Sequence, residues 1–394
     1  PTPLVDGDRV YVYFGSFGLL CYDHDGNQQW QKPIPTPKSL YGMATSPIAH
    51  REHLILVLDN DANLPDSKLS QSKIIAVKKK DGETAWEIPR PFHRSGWSVP
   101  TIWEHDGVSE LVVLGNGQVS GYDMSSGTQN WFAGGFSRET IALPVVGDGK
   151  IYASAAMLGG SGDETPEPAP FWDAVMQVDK NSDGKLQRDE MTAGFTFPLR
   201  PELPIGHPGF GIPLPKQGPQ REKRLDGMLG WIDKDRDGFW TREEFVANMT
   251  GNRGRPLLMA ILPGGKGDVS ESHVGWQSHR GIPEIPSPIY CDERLYLVRK
   301  GGLINAIDTA DGTVVYRERL ADAPGQYSAS PVIADGNLYL VSGLGVISVV
   351  PAGDEFELAH QYALGEGVQV TPAIDADTIY FRGEKYLWAF RRAE

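Results

Sequence analysis

Short runs of alternating apolar and polar residues, parted by glycine turns, recur along most of the chain. The cleanest copy begins at Ser287-Pro288-Ile289 and continues through Arg294-Leu295-Tyr296-Leu297-Val298 to Gly301-Gly302. A second run, Leu303-Ile304-Asn305-Ala306-Ile307-Asp308, leads to Asp311-Gly312 and then Thr313-Val314-Val315-Tyr316. A two-residue period rich in β-branched and aromatic side chains predicts short antiparallel strands. Asp-Gly supplies the residue with φ > 0 that a tight hairpin requires.

The proline that opens this unit recurs as Pro3, Pro47, Pro100, Pro144, Pro288, Pro331 and Pro372. Five of the six intervals are 44, 53, 44, 43 and 41 residues, and the sixth, from Pro144 to Pro288, is 144. An aromatic residue stands four places after the hairpin glycine in Gly26/Trp30, Gly82/Trp86, Gly127/Trp131 and Gly312/Tyr316. Four short strands per unit at a period in the low forties predict an all-β fold, a β-propeller with seven recognisable four-stranded repeats. A single repeat cannot bury both its apolar faces, so the repeats must stack around a ring.

At these residues the chain resembles the PQQ-like repeat propellers, a group that includes quinoprotein dehydrogenases and outer-membrane assembly-factor propellers. The resemblance implies the fold far more narrowly than the activity. It also implies a periplasmic or secreted location, with a signal peptide outside the given sequence. Pro1 to Val5 match an innermost strand, and Leu387-Trp388-Ala389-Phe390 match a third strand with no fourth behind it. Upstream sequence is therefore expected, and related propellers leave room there for an eighth blade.

Between Gly159 and Arg255 the repeat is interrupted, dividing the chain into propeller blades over 1–159, an insertion over 160–255 and further blades over 256–394. A helical run at Phe171-Trp172-Asp173-Ala174-Val175-Met176 precedes a twelve-residue loop from Asp179 to Glu190. A second such loop, Asp233 to Glu244, follows Leu225, Met228, Leu229 and Ile232 at helical spacing. Both satisfy the EF-hand pattern, with side-chain oxygens at positions one, three and five and glycine at six. The ligands of the first loop would be Asp179, Asn181, Asp183, the Lys185 carbonyl, Gln187 through water, and Glu190. Those of the second would be Asp233, Asp235, Asp237, the Phe239 carbonyl, Thr241 and Glu244. Two Ca²⁺ sites with helical flanks are expected, the second tighter because it carries four ligand carboxylates against three. Leu186 and Trp240, at position eight, would pair the loops, although Trp240 is bulkier than usual there. Pro198 to Pro219 holds seven prolines, which favours a fixed insert over an opening sensor.

Lysine plus arginine number 37 and aspartate plus glutamate 51, a net charge of −14. That balance argues against nucleic acid or an anionic membrane surface as a main partner. No apolar run reaches the ~20 residues that span a bilayer. The two cysteines, Cys21 and Cys291, lie in separate repeats and read as small apolar residues. His24 in an Asp-rich turn, and His273 and His279 at no zinc spacing, read as surface residues. The polar loop Asp59 to Asp66 reads as backbone-bonded, with a hard cation or sugar as its alternative use.

Residues preceding the proline markers could ring one mouth of the axial channel: Arg94, Trp97, Arg138, Glu139, Gln326, Tyr327 and Gln369. Structural ion pairs are the plainer reading of the arginines. The expected function is a calcium-binding, extracytoplasmic, non-catalytic binding or scaffold protein. Its partner would be a protein or carbohydrate on a propeller rim. The alternative is a quinoprotein-like oxidoreductase or a carbohydrate-active propeller with a site at the axial mouth. No PQQ is expected, because the cysteines are isolated and the calcium motifs lie in the insertion. Known nucleophile-elbow, zincin and phosphate-loop motifs are also missing from the sequence.

Overall fold

The computed structural model describes residues 1–39, 41–60, 69–115, 117–137, 140–156, 168–192, 194–198, 204–206, 210–251 and 256–391. The chain divides into two compact units, Pro1–Asp163 with Arg255–Glu394, and Glu164–Gly254. The first is a seven-bladed β-propeller. Six sheets contain four antiparallel strands each, sheet three with a short parallel fifth strand besides, and the seventh contains three among the described residues. Sheet five, for example, runs Ile289–Cys291, Arg294–Arg299, Leu303–Asp308 and Val314–Arg319 in spatial order. Sheet four is split by the insertion, its second strand Lys150–Ala155 pairing with Leu257–Ile261.

The repeat's aromatic and its glycine serve one contact. Trp30, Trp86, Trp131, Trp276 and Tyr316 each stand in register with a small residue of the third strand: Cys21, Ala76, Gly121, Ala260 and Ala306. A bulge follows each pair directly. The ring then leans on the hairpin of the following sheet. A Cβ on Gly82 would meet the Trp30 ring at 2.6 Å, and one on Gly312 would meet Trp276 at 2.6 Å. Glycine is thus required there both for φ values of 73° and 79° and for space. Trp276 escapes the simple spacing because Leu262 to His273 lengthen its hairpin, and Gly267–Asp268 pair with sheet three instead.

Six apolar clusters lie between consecutive sheets, from sheets one and two (Tyr11, Tyr13 and Leu19 on Leu54, Leu56 and Val77) to sheets six and seven (Val341 and Ile347 on Ile379 and Phe381). Fully burying each such side chain is worth about 1.5–3 kcal/mol. No cluster joins sheet seven to sheet one among the described residues. Their outward faces leave Val5, Phe14 and Leu387 exposed.

The proline markers have a physical reason. The residue before a proline marker still has an N–H, and at four of the seven markers a hydroxyl one sheet further on accepts it. Thr2 donates to Ser46 Oγ (2.7 Å), Leu143 to Ser287 Oγ (3.1 Å), Ser287 to Ser330 Oγ (2.9 Å) and Ser330 to Thr371 Oγ1 (3.0 Å). Ser/Thr-Pro therefore supplies an acceptor to the preceding sheet while starting a strand whose first residue needs no ladder donor.

Among the described residues the second unit has three helices, α1 (Pro168–Val175), α2 (Pro219–Ile232) and α3 (Arg242–Gly251), and two small two-stranded sheets. Its own core gathers Phe171, Trp172, Val175, Phe195, Trp240 and Phe245.

Candidate metal centre

Each twelve-residue loop folds back on itself in the same way. Positions four and six are left-handed in both: Ser182 at φ 58° and Gly184 at 77°, Arg236 at 63° and Gly238 at 90°. Only glycine takes that conformation without strain, which explains its place at six. The carboxylate at position one accepts the position-six N–H, Asp179 from Gly184 at 3.1 Å and Asp233 from Gly238 at 3.0 Å. At position five, Asp183 accepts from Lys185 N and Asp237 from Phe239 N, both at 2.9 Å. At position twelve, Glu190 and Glu244 reach back to the N–H groups of Lys180 and Lys234, again both at 2.9 Å. The acidic side chains are thereby drawn inward. Oxygens of Asp233, Asp235 and Asp237 all lie within 4.8 Å of one another.

A two-residue antiparallel bridge joins the loops, with Leu186 opposite Trp240 and Gln187 opposite Phe239. The bulky indole is accommodated because aromatic rings surround it. Phe195, Phe197 and Phe245 lie 6.1 to 6.4 Å from it, centroid to centroid. The position-seven side chains also meet, with Lys185 Nζ 4.9 Å above the Phe239 ring.

Glu244 has a second task. Thr241 Oγ1 accepts the Glu244 N–H (3.2 Å) while Glu244 Oε2 accepts the Thr241 N–H (3.1 Å), a capping box that starts α3. Burial alone would raise its pKa. The hydrogen bonds from Thr241 and Lys234 outweigh that and hold it below the usual carboxylate value.

The expected helical flanks are present around the second loop, between α2 and α3. The first loop is entered from α1 and a 3₁₀ turn, Met176–Val178, but no helix leaves it among the described residues. Glu190 runs into a turn and the strand Thr196–Pro198, which pairs with Gly211–Pro213. Gly194, the β-branched Thr192 and Thr196, and Pro198 all disfavour a helix there.

The residues assigned to the axial mouth fall on the connectors that lead into sheets three, six and seven. Trp97 is buried, its indole donating to Gly42 O (3.0 Å) and its ring 5.3 Å from that of Tyr41. Arg94 and Tyr327 are also buried, and the Tyr327 hydroxyl donates to Ala323 O. Gln326 and Gln369 are exposed and come together, since a Cβ on Gly343 would meet Gln326 O at 3.1 Å and Gln369 Nε2 at 3.3 Å. Arg138 and Glu139 lie outside the described residues, as does most of the Asp59 to Asp66 loop.

Sequence reasoning missed a buried pair beside Arg94. Arg90 Nη1 donates to Asp59 Oδ1 at 2.9 Å, with both side chains almost wholly enclosed. Next to them His93 is held neutral, its pKa pushed down to about 2 by burial and then by the Arg90 charge. Ser70 and Ser72 hydroxyls both donate to His93 O. Cys21 is buried as expected, whereas Cys291 is only half-buried; both are free thiols.

Sheets and insert together define the class, a β-propeller with an inserted helical unit that bears two acidic loops. Residues 1–131, roughly the first three sheets, match the family model of "Outer membrane protein assembly factor BamB". Among solved structures the chain is similar to BamB from Moraxella catarrhalis. Identity is 10%, covering 97% of this chain and 81% of that one, with a TM-score of 0.54. The computationally designed Ika8 protein matches at 8% identity over 99% of this chain and 95% of that one, with a TM-score of only 0.42. None of the curated proteins matches the chain. The likeness to the Moraxella catarrhalis structure shows the fold, a β-propeller. No helix among the described residues is long and apolar enough to cross a membrane.

Proposed function

We propose that the chain is a calcium-binding, non-catalytic scaffold or binding protein acting outside the cytoplasm, with two Ca²⁺ ions held by EF-hand loops in the insertion. The observation that carries the calcium part is the coincidence of two independent loops at every donor position, bridged through Leu186 and Trp240. The donors fit the ion. Calcium takes six to eight hard oxygens, and each loop offers carboxylates, a position-seven carbonyl and a position-twelve glutamate. When bound, the ion would supply a central positive charge among the inward-drawn carboxylates.

The pair acts as a static clamp. In sensor hands, calcium opens an apolar groove between helices. Here Phe195 and Phe197, from the segment between the loops, pack on Trp240 and Phe245. Opening would expose all four rings. The scaffold part rests on the BamB-like propeller, and its surface would be a rim that takes a protein or a carbohydrate.

Chelator-treated and calcium-loaded protein are compared by thermal unfolding and by binding of an apolar dye. Calcium should raise the unfolding temperature of the helical unit without increasing dye binding. No calcium-dependent shift would overturn the metal assignment, and a large rise in dye binding the clamp. A quinone absorption band in the purified protein would overturn the non-catalytic reading.

A further inference from the structure

No helix among the described residues leaves the first twelve-residue loop, yet its position-twelve carboxylate is firmly placed. Glu190 is buried, and its oxygens accept the N–H groups of Lys180 (2.9 Å) and Gln187 (3.1 Å). In an exit helix the Met191 carbonyl would accept the N–H of Phe195, four residues on. That N–H goes instead to Thr192 O at 2.9 Å. The backbone behind Glu190 must be held in another way.

Arg221 holds it from α2. The side chain is buried; its Nη2 donates to Met191 O and its Nη1 to Pro215 O at 3.0 Å. The helix itself does not favour this placement, because a cation in the first turn opposes the helix dipole. Its hydrogen bonds go to two backbone carbonyls rather than to a carboxylate. A second tie lies nearer the surface. Arg188, at position ten of the loop, donates to Glu222 and Asp226, one turn apart on α2. Between the loop exit and α2 runs an open groove of about 500 Å³, lined by Gln187, Met191, Thr192 and Leu225 together with both arginines. The two guanidinium groups thus span a gap that apolar packing leaves open.

We propose that Arg221 is a positioning residue for the first calcium site. Carried by α2, it stands in for the missing exit helix, fixes the backbone behind Glu190 and lets that carboxylate present both oxygens to the ion. The inference rests on the calcium reading above. Contacts that orient a ligand from behind control metal affinity nearly as strongly as the ligand does. The arrangement also gives α2 two duties, since it ends at Asp233, the first donor of the second loop, whose N–H donates to Leu229 O at 2.9 Å.

Calcium is titrated into the full chain with one loop disabled at a time: Glu244→Gln leaves the first loop, Glu190→Gln the second. Adding Arg221→Gln should weaken the first site about 10- to 100-fold and the second by no more than about twofold. Arg221→Lys, which reaches one carbonyl at a time, should fall between the parent and Arg221→Gln. Terbium in place of calcium reports on the ligands directly, because its luminescence lifetimes in light and heavy water count the bound waters. Arg221→Gln should add about one water at the first site, where Glu190 loses its second oxygen. Arg188→Gln, an exposed change, should weaken the first site about two- to fivefold. It decides the question if circular dichroism shows that Arg221→Gln does not fold. The proposal fails if folded Arg221→Gln leaves first-site affinity and water count unchanged, or weakens both sites alike. It fails equally if Arg221→Gln unfolds and Arg188→Gln leaves the first site unaltered. Absence of calcium binding with both arginines intact is a different result, which overturns the calcium reading and this inference with it.

Discussion

Lowering the pH should destabilise the propeller at one identifiable point, His93. In the folded chain its imidazole is buried beside Arg90, and its pKa is pushed down to about 2. Unfolded, it returns to about 6.5. Because the folded value is depressed, the unfolded chain binds the proton first. Stability is retained above about pH 6.5 and lost progressively as the pH falls toward the folded value. Each pH unit below 6.5 costs about 1.4 kcal/mol, so this one group removes about 2 kcal/mol by pH 5. The assay is urea unfolding of calcium-saturated protein at pH 7 and pH 5, for the parent and His93→Gln. The variant keeps polar atoms near Gln118, which contacts the histidine ring at 3.4 Å, but does not titrate. Carboxylates common to both proteins cancel in the difference. The parent should lose about 2 kcal/mol more than the variant between the two pH values. Equal losses would refute the reasoning.

Glu244→Gln should preserve the capping box, since glutamine serves at that helix position, yet remove one calcium site; circular dichroism and calcium titration would separate the two effects. Ser330→Ala strips the acceptor from the Ser287 N–H between sheets five and six and should cost about 1–3 kcal/mol in chemical unfolding. Gly121→Ala would push a methyl into the Trp131 ring and should cost about 1–3 kcal/mol, with a change in near-ultraviolet dichroism.

The propeller was legible because its markers are local and periodic. A proline opens each strand set, preceded by a hydroxyl residue in five of seven, and in four repeats a glycine stands four residues before an aromatic ring. The acidic loops were legible for the same reason, with every donor inside twelve residues. The Asp59–Arg90 pair was not, because its members lie 31 residues apart and at no position the repeat pattern marks. Nor did spacing reveal the missing exit helix after Glu190. Loop patterns specify donors, whereas the following Thr192, Gly194 and Pro198 decide backbone conformation. Arg94, Trp97 and Tyr327 lie on connectors between sheets and are buried, and periodicity does not say whether a connector side chain points outward or is packed beneath its neighbours.

Calorimetric titration of calcium into chelator-stripped protein tests the central claim most directly. Two ions should bind per chain, with the site of Asp233, Asp235, Asp237 and Glu244 filling first and disappearing in Glu244→Gln. Absence of binding at millimolar calcium, or unchanged stoichiometry in that variant, would contradict the account.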